Sequence, residues 1–147
     1  MNSQKTLRVG MLGCGVVGGE VARLITANQK DLTARSGAHL DLVKIGVRNL
    51  ARPNVSKELL TTDLESIVKD ANIDLIIEVI GGIEPARTLI LEAFANGKSV
   101  VTANKALLAK HGAELFAAAD KSGVDLYYEA SVAGAIPILR PLRESLV

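Results

Sequence analysis

Short runs of apolar residues alternate along the chain with longer segments in which apolar residues recur at helical spacing. The runs rich in Val, Ile and Leu predict strands over residues 7–12, 40–47, 73–82, 98–104 and 124–130. Helical spacing predicts helices over residues 16–28, 61–72, 85–96 and 105–122, and Pro137 is typical of the first turn of a last helix. A polar stretch, residues 29–39, precedes the second strand, and residues 48–60 are predicted to form a loop.

This alternation of strands and helices predicts the fold class. A repeated β-α-β order is typical of a parallel sheet whose crossover helices cover both faces. Hydrophobic residues make up 48% of the chain but aromatic residues only 3%, so the apolar mass is aliphatic and suits strands buried between two helical layers. We therefore expect an α/β fold with a doubly wound, mostly parallel sheet in one domain, which 147 residues can form.

Signals at the helix boundaries refine these limits. Thr62 and Glu65 have the spacing of a capping box, and Gly97 fits a C-terminal cap. The helix over 105–122 is expected to be interrupted near His111. In the first helix, the residues predicted to lie near one face are Val17, Val21, Leu24 and Ile25.

Charge and cysteine content exclude several classes of protein. The net charge is +1, no basic run is present and few aromatic residues are available to stack on bases, so we expect no nucleic-acid partner. Cys14 is the single cysteine, which excludes an internal disulfide and fits a reducing compartment. The chain has neither an apolar core of signal-peptide length at its start nor a run of about 18 apolar residues, so we expect a cytoplasmic protein with no membrane partner.

A glycine cluster directly follows the first predicted strand. Gly13, Gly15 and Gly18 match the pattern G-x-G-x-x-G where that strand ends and the first helix begins. In this motif the first glycine permits a tight turn, the second lets a pyrophosphate approach the backbone, and the third lets the helix pack closely on the strand. Free N–H groups and the helix dipole favour the anion. The cluster therefore predicts a dinucleotide site; the alternative is a glycine-rich turn that binds nothing.

The end of the second strand predicts which coenzyme binds. Folds that bind NAD usually place Asp or Glu at this point, where the carboxylate binds the ribose 2′-hydroxyl. Arg48 holds that place in this chain, and a guanidinium can bind a 2′-phosphate through two parallel hydrogen bonds. We therefore predict NADP in preference to NAD, the alternative being that Arg48 is a solvated loop residue.

Later strand ends carry the remaining candidates, because ligands of such folds collect at the carboxyl ends of the strands. Gly81 and Gly82 would let the nicotinamide-side ribose and phosphates pass close to the backbone. Lys105 is the candidate catalytic residue, as a cation that binds a substrate carboxylate or polarises a carbonyl during hydride transfer, and a solvated lysine is the alternative. Glu78 is predicted to be a buried acid with a hydrogen-bonded partner, and Glu129 ends the fifth strand beside a glycine-bearing loop.

Taken together, these segments resemble the coenzyme domain of the homoserine dehydrogenase family. The resemblance is carried by VGMLGCGVVGGEVARLI, by Val-Arg after the second strand, and by DLIIEVIGG, VVTANKALLA and YEASVAGAIPIL, which span nearly the whole chain. TANKALLA and YEASVAG are far more specific than the glycine motif. The resemblance implies a Rossmann-type domain of an enzyme that reversibly reduces L-aspartate 4-semialdehyde to L-homoserine with NADPH or NADH, a step toward threonine, isoleucine and methionine.

The same resemblance implies a role for individual residues. Those implied to line the dinucleotide are Gly13, Gly15, Val16, Val17, Gly81 and Gly82. Arg48 is implied to meet the adenosine 2′-phosphate, and Lys105 to contact the coenzyme and take part in catalysis. A monovalent cation, sodium, is implied to be held by backbone carbonyls and one carboxylate, from Glu129, Val132, Gly134 and Ile136.

The resemblance also implies that the chain is part of a longer protein. Family members continue into a substrate and dimerisation domain, so we expect residues 1–147 to be the dinucleotide-binding domain and residues 136–147 to start a helix leading onward. The full-length protein is expected to be a homodimer or larger, and this chain to bind coenzyme with little or no turnover. The alternatives are the coenzyme domain of another NADP-dependent oxidoreductase, such as an aldose- or inositol-type dehydrogenase, and a non-catalytic nucleotide-binding module.

Overall fold

The computed structural model describes residues 5–51 and 55–132 of the chain, so the helix predicted at Pro137 lies outside the described residues. The strands are β1 (Lys5–Leu12), β2 (Ala38–Gly46), β3 (Leu60–Thr61), β4 (Leu75–Glu78), β5 (Ser99–Thr102) and β6 (Leu126–Tyr127). The helices are α1 (Val16–Ala27), α2 (Gln29–Ser36), α3 (Leu64–Lys69), α4 (Ala86–Ala95) and α5 (Lys105–Ser122). Short 3₁₀ turns occupy Lys57–Leu59 and Glu129–Ser131. Within the described ranges, no helix is both long and apolar enough to cross a membrane.

The strands form one parallel sheet in the order β3-β2-β1-β4-β5-β6. Residues of α1 and α2 pack against one face, and residues of α3, α4 and α5 pack against the other. The predicted doubly wound, parallel α/β sheet is therefore confirmed. The strand order changes direction between β1 and β4, and an open α/β sheet binds its ligands at the carboxyl edge beside such a point.

Each face of the sheet carries its own apolar core. Met11 and Leu12 are both fully buried in β1, but Met11 joins the core under α1 and Leu12 joins the core under α4 and α5, because successive side chains of a strand point to opposite faces. The inward face of α4 consists of Leu89, Ile90, Ala93 and Phe94, which are all buried. Two filled cores leave the ends of the strands as the place for a site.

Two elements were not predicted, α2 and β3. Helix α2 buries no residue completely, so it lacks an apolar stripe; an Asp31–Arg35 ion pair on its surface and a left-handed Gly37 that caps its C-terminus favour the helix instead. Strand β3 has only two residues, which pair with the end of β2 through Ile45 and Gly46. Neither feature produces a hydrophobic pattern.

Two expectations about helices α3 and α5 are wrong. Asp63, not Thr62, caps α3, because its carboxylate accepts the Ser66 N–H at 3.0 Å, while Glu65 pairs with Lys69 instead of closing a capping box. Helix α5 runs without a break through His111 and ends, as expected for the glycine after it, at a left-handed Gly123.

The buried face of α1 matches the prediction only in part. Ile25 is buried and Val21 packs against the same core, as predicted, whereas Val17 and Leu24 are exposed and Gly18 and Ala22 are buried instead. At Gly18, α1 approaches the loop after β1 too closely for any side chain. The predicted C-terminal cap at Gly97, by contrast, is confirmed by its left-handed backbone after α4.

Charged side chains hold the amino ends of the strands together. The buried Lys98, just before β5, donates from Nζ to the carbonyl oxygens of Asp70 at 2.7 Å and Ile73 at 3.0 Å. Arg8 in β1 binds the carboxylate of Asp74 with Nε and Nη2, each at 3.0 Å. These contacts lie at the end of the sheet opposite the glycine loop.

Candidate functional site

A cleft of about 390 Å³ opens at the carboxyl edge of the sheet, beside the change in strand direction. It is lined by Gly46 at the end of β2, by Leu64 of α3, and by residues from the loops after β1, β2 and β4, namely Gly13, Cys14, Gly15, Val47, Arg48, Val79, Ile80 and Pro85. The glycine motif and Arg48, which are far apart in sequence, therefore line one cavity.

Gly13 forms the turn that leads from β1 into this cleft. Its φ of +103° lies in the region that favours glycine, and a Cβ there would stand 2.8 Å from the carbonyl oxygen of Val79. Its N–H donates to the carbonyl of Gly46 at 2.9 Å, which joins the end of β1 to the end of β2. The predicted tight turn is present, and the backbone itself requires glycine there.

Gly15 differs from Gly13, because nothing in the described fold requires it to be glycine. Its φ of −79° is ordinary, and a Cβ added there would meet no atom within 4 Å. It is the N-cap of α1, and no side chain caps the helix there. The open space in front of the first-turn N–H groups is the kind of cradle that a phosphate fills.

Val16 and Val17 follow as the first residues of α1. They are 94% and 57% exposed, and both values are high for large aliphatic side chains that begin a helix. The resemblance placed both beside the dinucleotide, and their exposure leaves them accessible to a ligand at the N-terminus of α1. The apolar sequence around the motif is therefore not explained by core packing alone.

Gly18 accounts for the third glycine of the motif. A Cβ at this position would stand 2.4 Å from the carbonyl oxygen of Gly13 and 3.1 Å from a methyl group of Val79. The first turn of α1 thus lies directly on the loop after β1, as the motif predicts. This contact fixes the direction of the helix axis relative to the cleft.

Arg48 lies at the rim of the same cleft. The preceding residue, Val47, is buried and donates its N–H to the carbonyl of Thr61 at 2.8 Å, which anchors the backbone there. Arg48 itself is exposed and makes no ion pair with any residue in the described part of the chain. An exposed arginine that lines the same cleft as the glycine loop is thus available to an anionic ligand.

The Gly81–Gly82 turn lies at the end of β4. Both glycines are exposed and both have left-handed backbones, with φ of +78° and +75°. A side chain at Gly81 would meet no protein atom within 4 Å, so the turn leaves free space on its outer side. The backbone is therefore accessible to a ligand that lies along the strand ends.

Lys105 is the first residue of α5, and its side chain is exposed. The residue before it, Asn104, is buried, caps α5 by accepting the Leu107 N–H at 3.2 Å, and donates from Nδ2 to the carbonyl of Gly82 at 2.6 Å. The start of α5 is thus tied to the Gly81–Gly82 turn. The structure brings these candidates together at one edge.

Glu78 is completely buried at the end of β4, as predicted, and has hydrogen-bonded partners. The sequence did not single out Thr102, Asn104 or Ser131, which are buried polar residues connected to it directly or through one another. Their only sequence signal is that each is a small polar residue at or just after the end of a strand. Pairing of β4 with β5 is needed to recognise the group.

The predicted cation site is described only in part. Glu129 is exposed and begins the 3₁₀ turn after β6, and Val132 follows that turn, half-buried. Gly134 and Ile136 lie outside the described residues. Across residues 5–51 and 55–132, no group of three or more His, Cys, Asp or Glu side chains is arranged to hold a metal ion.

A second cavity, about 820 Å³, extends from Gly15 along α1. Its walls are formed by α1, by Leu42 and Ile45 of β2, and by Val55 and Leu59. It meets the smaller cleft at Cys14 and Gly15 but does not include Arg48. The smaller cleft therefore combines the glycine loop with the cation that suits a phosphate, although it has the smaller volume.

Comparisons with known proteins agree on one family. The family model described as "Homoserine dehydrogenase, NAD binding domain" matches residues 13–129. Homoserine dehydrogenase of Mycobacterium tuberculosis is 52% identical over 144 residues, which are 97% of this chain and 33% of that protein. The crystal structure of a homoserine dehydrogenase from Thiobacillus denitrificans superposes with a TM-score of 0.89 at 48% identity, covering 97% of this chain and 33% of that one. The chain thus spans about a third of the length of the curated relatives it matches.

Proposed function

The chain belongs to the homoserine dehydrogenase family and corresponds to the domain that binds the nicotinamide coenzyme. We therefore propose that it supplies the coenzyme site of an enzyme that interconverts L-homoserine and L-aspartate 4-semialdehyde. The observation that carries the proposal is the joint position of the glycine loop, the Gly81–Gly82 turn and Lys105 at one edge of the sheet. A hydride donor lying along that edge would extend from the N-terminus of α1 toward the start of α5.

The described residues fit such a coenzyme. Gly15 and the uncapped N-terminus of α1 provide space and N–H donors for the pyrophosphate, and Gly13 and Gly18 hold that terminus against the sheet. The rest of the coenzyme can contact exposed surface at Val16, Val17 and the Gly81–Gly82 turn. When bound, the nicotinamide ring supplies the hydride that converts the aldehyde to the alcohol.

We propose NADP as the preferred coenzyme, on the basis of Arg48. Arg48 lines the cleft that contains the glycine loop, at the strand end where the carboxylate of an NAD site would otherwise be expected. A 2′-phosphate would accept charge-assisted hydrogen bonds from it, whereas a 2′-hydroxyl gains little.

Lys105 is proposed to act on the substrate. Its ammonium group can bind the substrate carboxylate or donate a hydrogen bond to the aldehyde oxygen, where negative charge develops as the hydride arrives. Capping of α5 by Asn104 fixes the backbone from which Lys105 extends. The proton that completes the alcohol comes from solvent or from a group in the remainder of the protein.

We also propose that this chain binds coenzyme but turns over little or no substrate by itself. It spans about a third of its relatives, and the surfaces that hold the substrate and join subunits are proposed to lie in the rest of a homodimeric or larger protein. Residues 136–147 are proposed, on their sequence alone, to lead into that region.

A sodium ion is a further proposal for the loop after β6. It is supported by the strand-end position of Glu129, with its carboxylate exposed, and of Val132 beyond the same 3₁₀ turn. Activity of the full-length protein should then rise when choline is replaced by sodium, and Glu129→Gln should weaken that response. Equal activity in the two salts would contradict the proposal.

Two measurements test the proposed function. Titration of the chain with NADPH, followed by coenzyme fluorescence, should give saturable binding. The protein encoded by the complete reading frame should reduce NADP⁺ when homoserine is added. Binding without homoserine-dependent reduction would favour another NADP-dependent oxidoreductase or a nucleotide-binding module, and absence of binding would contradict the coenzyme site itself.

A further inference from the structure

A buried carboxylate lies below the proposed site, at the centre of the sheet. Glu78 is the last residue of β4, and in the parallel register it pairs with Leu12 of β1 on one side and with Thr102 of β5 on the other. Both Glu78 and Thr102 have 0% exposure. A carboxylate without contact with water is costly unless its oxygens accept hydrogen bonds, so its partners account for its presence.

All the side-chain partners of Glu78 are neutral donors, either at the end of β5 or in the loop that follows β4. One carboxylate oxygen, Oε1, accepts the N–H groups of Ile80 at 2.8 Å and Gly81 at 3.2 Å. The other, Oε2, accepts the hydroxyl of Thr102 at 2.5 Å. Glu78 therefore holds the backbone that enters the Gly81–Gly82 turn and links it to the end of β5.

Thr102 extends the connection to two further segments. Its hydroxyl oxygen accepts the N–H of Asn104 at 3.1 Å, and its carbonyl accepts the Ser131 hydroxyl at 2.7 Å. Asn104 in turn donates from its side chain to the carbonyl of Gly82 and caps α5, which begins at Lys105. One continuous set of hydrogen bonds thus joins the Gly81–Gly82 turn, the start of α5 and the turn after β6.

The hydrogen bonds at the other end of the sheet help to distinguish two explanations for the buried Glu78: that it only connects strands, or that it supports the candidate site. Lys98 is equally enclosed there and joins two carbonyl groups, but no candidate site residue lies beside it. Every side-chain hydrogen bond of Glu78, by contrast, is made to a segment at the candidate site. If buried polar side chains served only to connect strands, the contacts of Glu78 would have no reason to fall on the segments of the candidate site.

We propose that Glu78 and Thr102 are positioning residues, which fix the spacing between the Gly81–Gly82 turn and Lys105 for the nicotinamide half of the coenzyme. This inference rests on the proposed function. It predicts that breaking the connection affects the nicotinamide half selectively, since the adenosine half is assigned to Arg48 and the N-terminus of α1 on the other side of β1.

Thr102→Val is the main test, because valine retains the shape but leaves Glu78 Oε2 and the Asn104 N–H without their hydrogen bonds. Binding of NADPH to the chain should weaken about tenfold, whereas binding of adenosine 2′,5′-bisphosphate, which lacks the nicotinamide half, should stay within about twofold. Thr102→Ser restores the hydroxyl and should restore the wild-type ratio of the two affinities. In the full-length protein, kcat should fall for valine and recover for serine.

Asn104→Ser gives a second, milder variant. Serine is also a good N-cap, so α5 keeps its start, but the hydrogen bond to the Gly82 carbonyl is lost. We again expect weaker binding of NADPH and unchanged binding of adenosine 2′,5′-bisphosphate. This variant keeps the test decisive even if Thr102→Val does not fold.

Lys98→Met is the matched control for a purely structural role. It removes a buried polar contact from the same sheet and should lower the midpoint of thermal unfolding without changing the ratio of NADPH to bisphosphate affinity. If Thr102→Val and Asn104→Ser behave like Lys98→Met, the positioning role is wrong. If the wild-type chain binds no NADPH, the proposed function fails instead, so the two failures are distinguishable.

Discussion

Gly18 lies against Gly13 so closely that a methyl group on Gly18 would stand 2.4 Å from the Gly13 carbonyl oxygen. This distance is shorter than any van der Waals contact, and the atom it meets belongs to the backbone, which cannot rotate away. The contact joins the first turn of α1 to the loop after β1, on which the whole proposed coenzyme site depends.

Gly18→Ala should therefore destabilise the chain by about 1–3 kcal/mol, because the added methyl group pushes α1 away from the sheet. Coenzyme binding should weaken with it. Gly19→Ala is the matched control: a Cβ there meets no atom within 4 Å, and alanine should stabilise the helix by up to about 1 kcal/mol. Urea unfolding of both variants checks the prediction, and equal stabilities would contradict it.

Gly15→Ser should separate folding from binding. The added side chain meets no protein atom, and serine is a good N-cap, so the free energy of unfolding should be unchanged or higher. The same side chain fills the space assigned to the pyrophosphate, so we expect at least about a tenfold rise in the NADPH dissociation constant, or about 1.4 kcal/mol. Unchanged NADPH affinity would mean that the open space in front of α1 is not the phosphate site.

Arg48→Ala tests the choice of coenzyme. Loss of charge-assisted hydrogen bonds should weaken NADPH binding by about 10- to 100-fold and leave NADH binding nearly unaffected. Arg35→Ala, which removes an exposed arginine from α2, should change neither affinity. The two coenzymes are titrated side by side at one salt concentration, and equal wild-type affinities for them would argue against the assigned role of Arg48.

Lys105→Ala is expected to affect turnover more than binding. In the full-length protein, kcat for homoserine oxidation should fall about 100-fold or more, because a cation near the reacting oxygen is lost. The NADPH dissociation constant should change only a few-fold. Lys110→Ala, at another exposed position of α5, serves as the control. Intact turnover in Lys105→Ala would exclude Lys105 from catalysis.

Stability should depend on pH through Asp74 at the amino end of the sheet. Hydrogen bonds from the Arg8 guanidinium hold the pKa of Asp74 below its ordinary value, so the folded state favours the carboxylate. Its contribution is present above the pKa of the unfolded chain, about 3.9, and is lost as the pH falls through the lower pKa of the folded state.

Asp74→Asn should accordingly be less stable than the wild type near neutral pH, and the difference should shrink in acid. Urea unfolding at several pH values measures it. Asp41→Asn, at an exposed position of β2 with no side-chain hydrogen bond among the described residues, should show a much smaller difference. A constant gap between Asp74→Asn and wild type down to the acid limit would contradict this account.

Local chemistry explains which features the sequence could predict. The positive φ of Gly13 and the contact of Gly18 with the Gly13 carbonyl both arise within six consecutive residues, so the motif and its turn are recognisable without the fold. The sheet class follows from alternating apolar runs for the same reason. The cap of α3 was misplaced by one residue because Thr62 and Asp63 are both good caps and only the backbone decides between them.

The features that the sequence did not predict depend on contacts between distant residues. Thr102 and Glu78 are 24 positions apart and meet only because β4 pairs with β5. Gly18 lies on the inward face of α1, where a Cβ would also approach a methyl group of Val79 in the loop after β4, and this neighbour is not visible in the local sequence. Helix α2 has no apolar stripe from which the sequence could predict it.

The contacts of Lys98, Arg8 and Asp74 have a practical consequence for engineering this domain. They hold the strands together at the end remote from the proposed site. We therefore expect substitutions there to alter the stability of the domain and not its coenzyme binding. The nearby Ala71 and Asn72 are exposed and lie in the turn before β4. A surface tether, a fluorescent label or a fusion partner attached at that turn would leave the opposite edge open to small molecules, which makes it the natural point from which to build a coenzyme sensor.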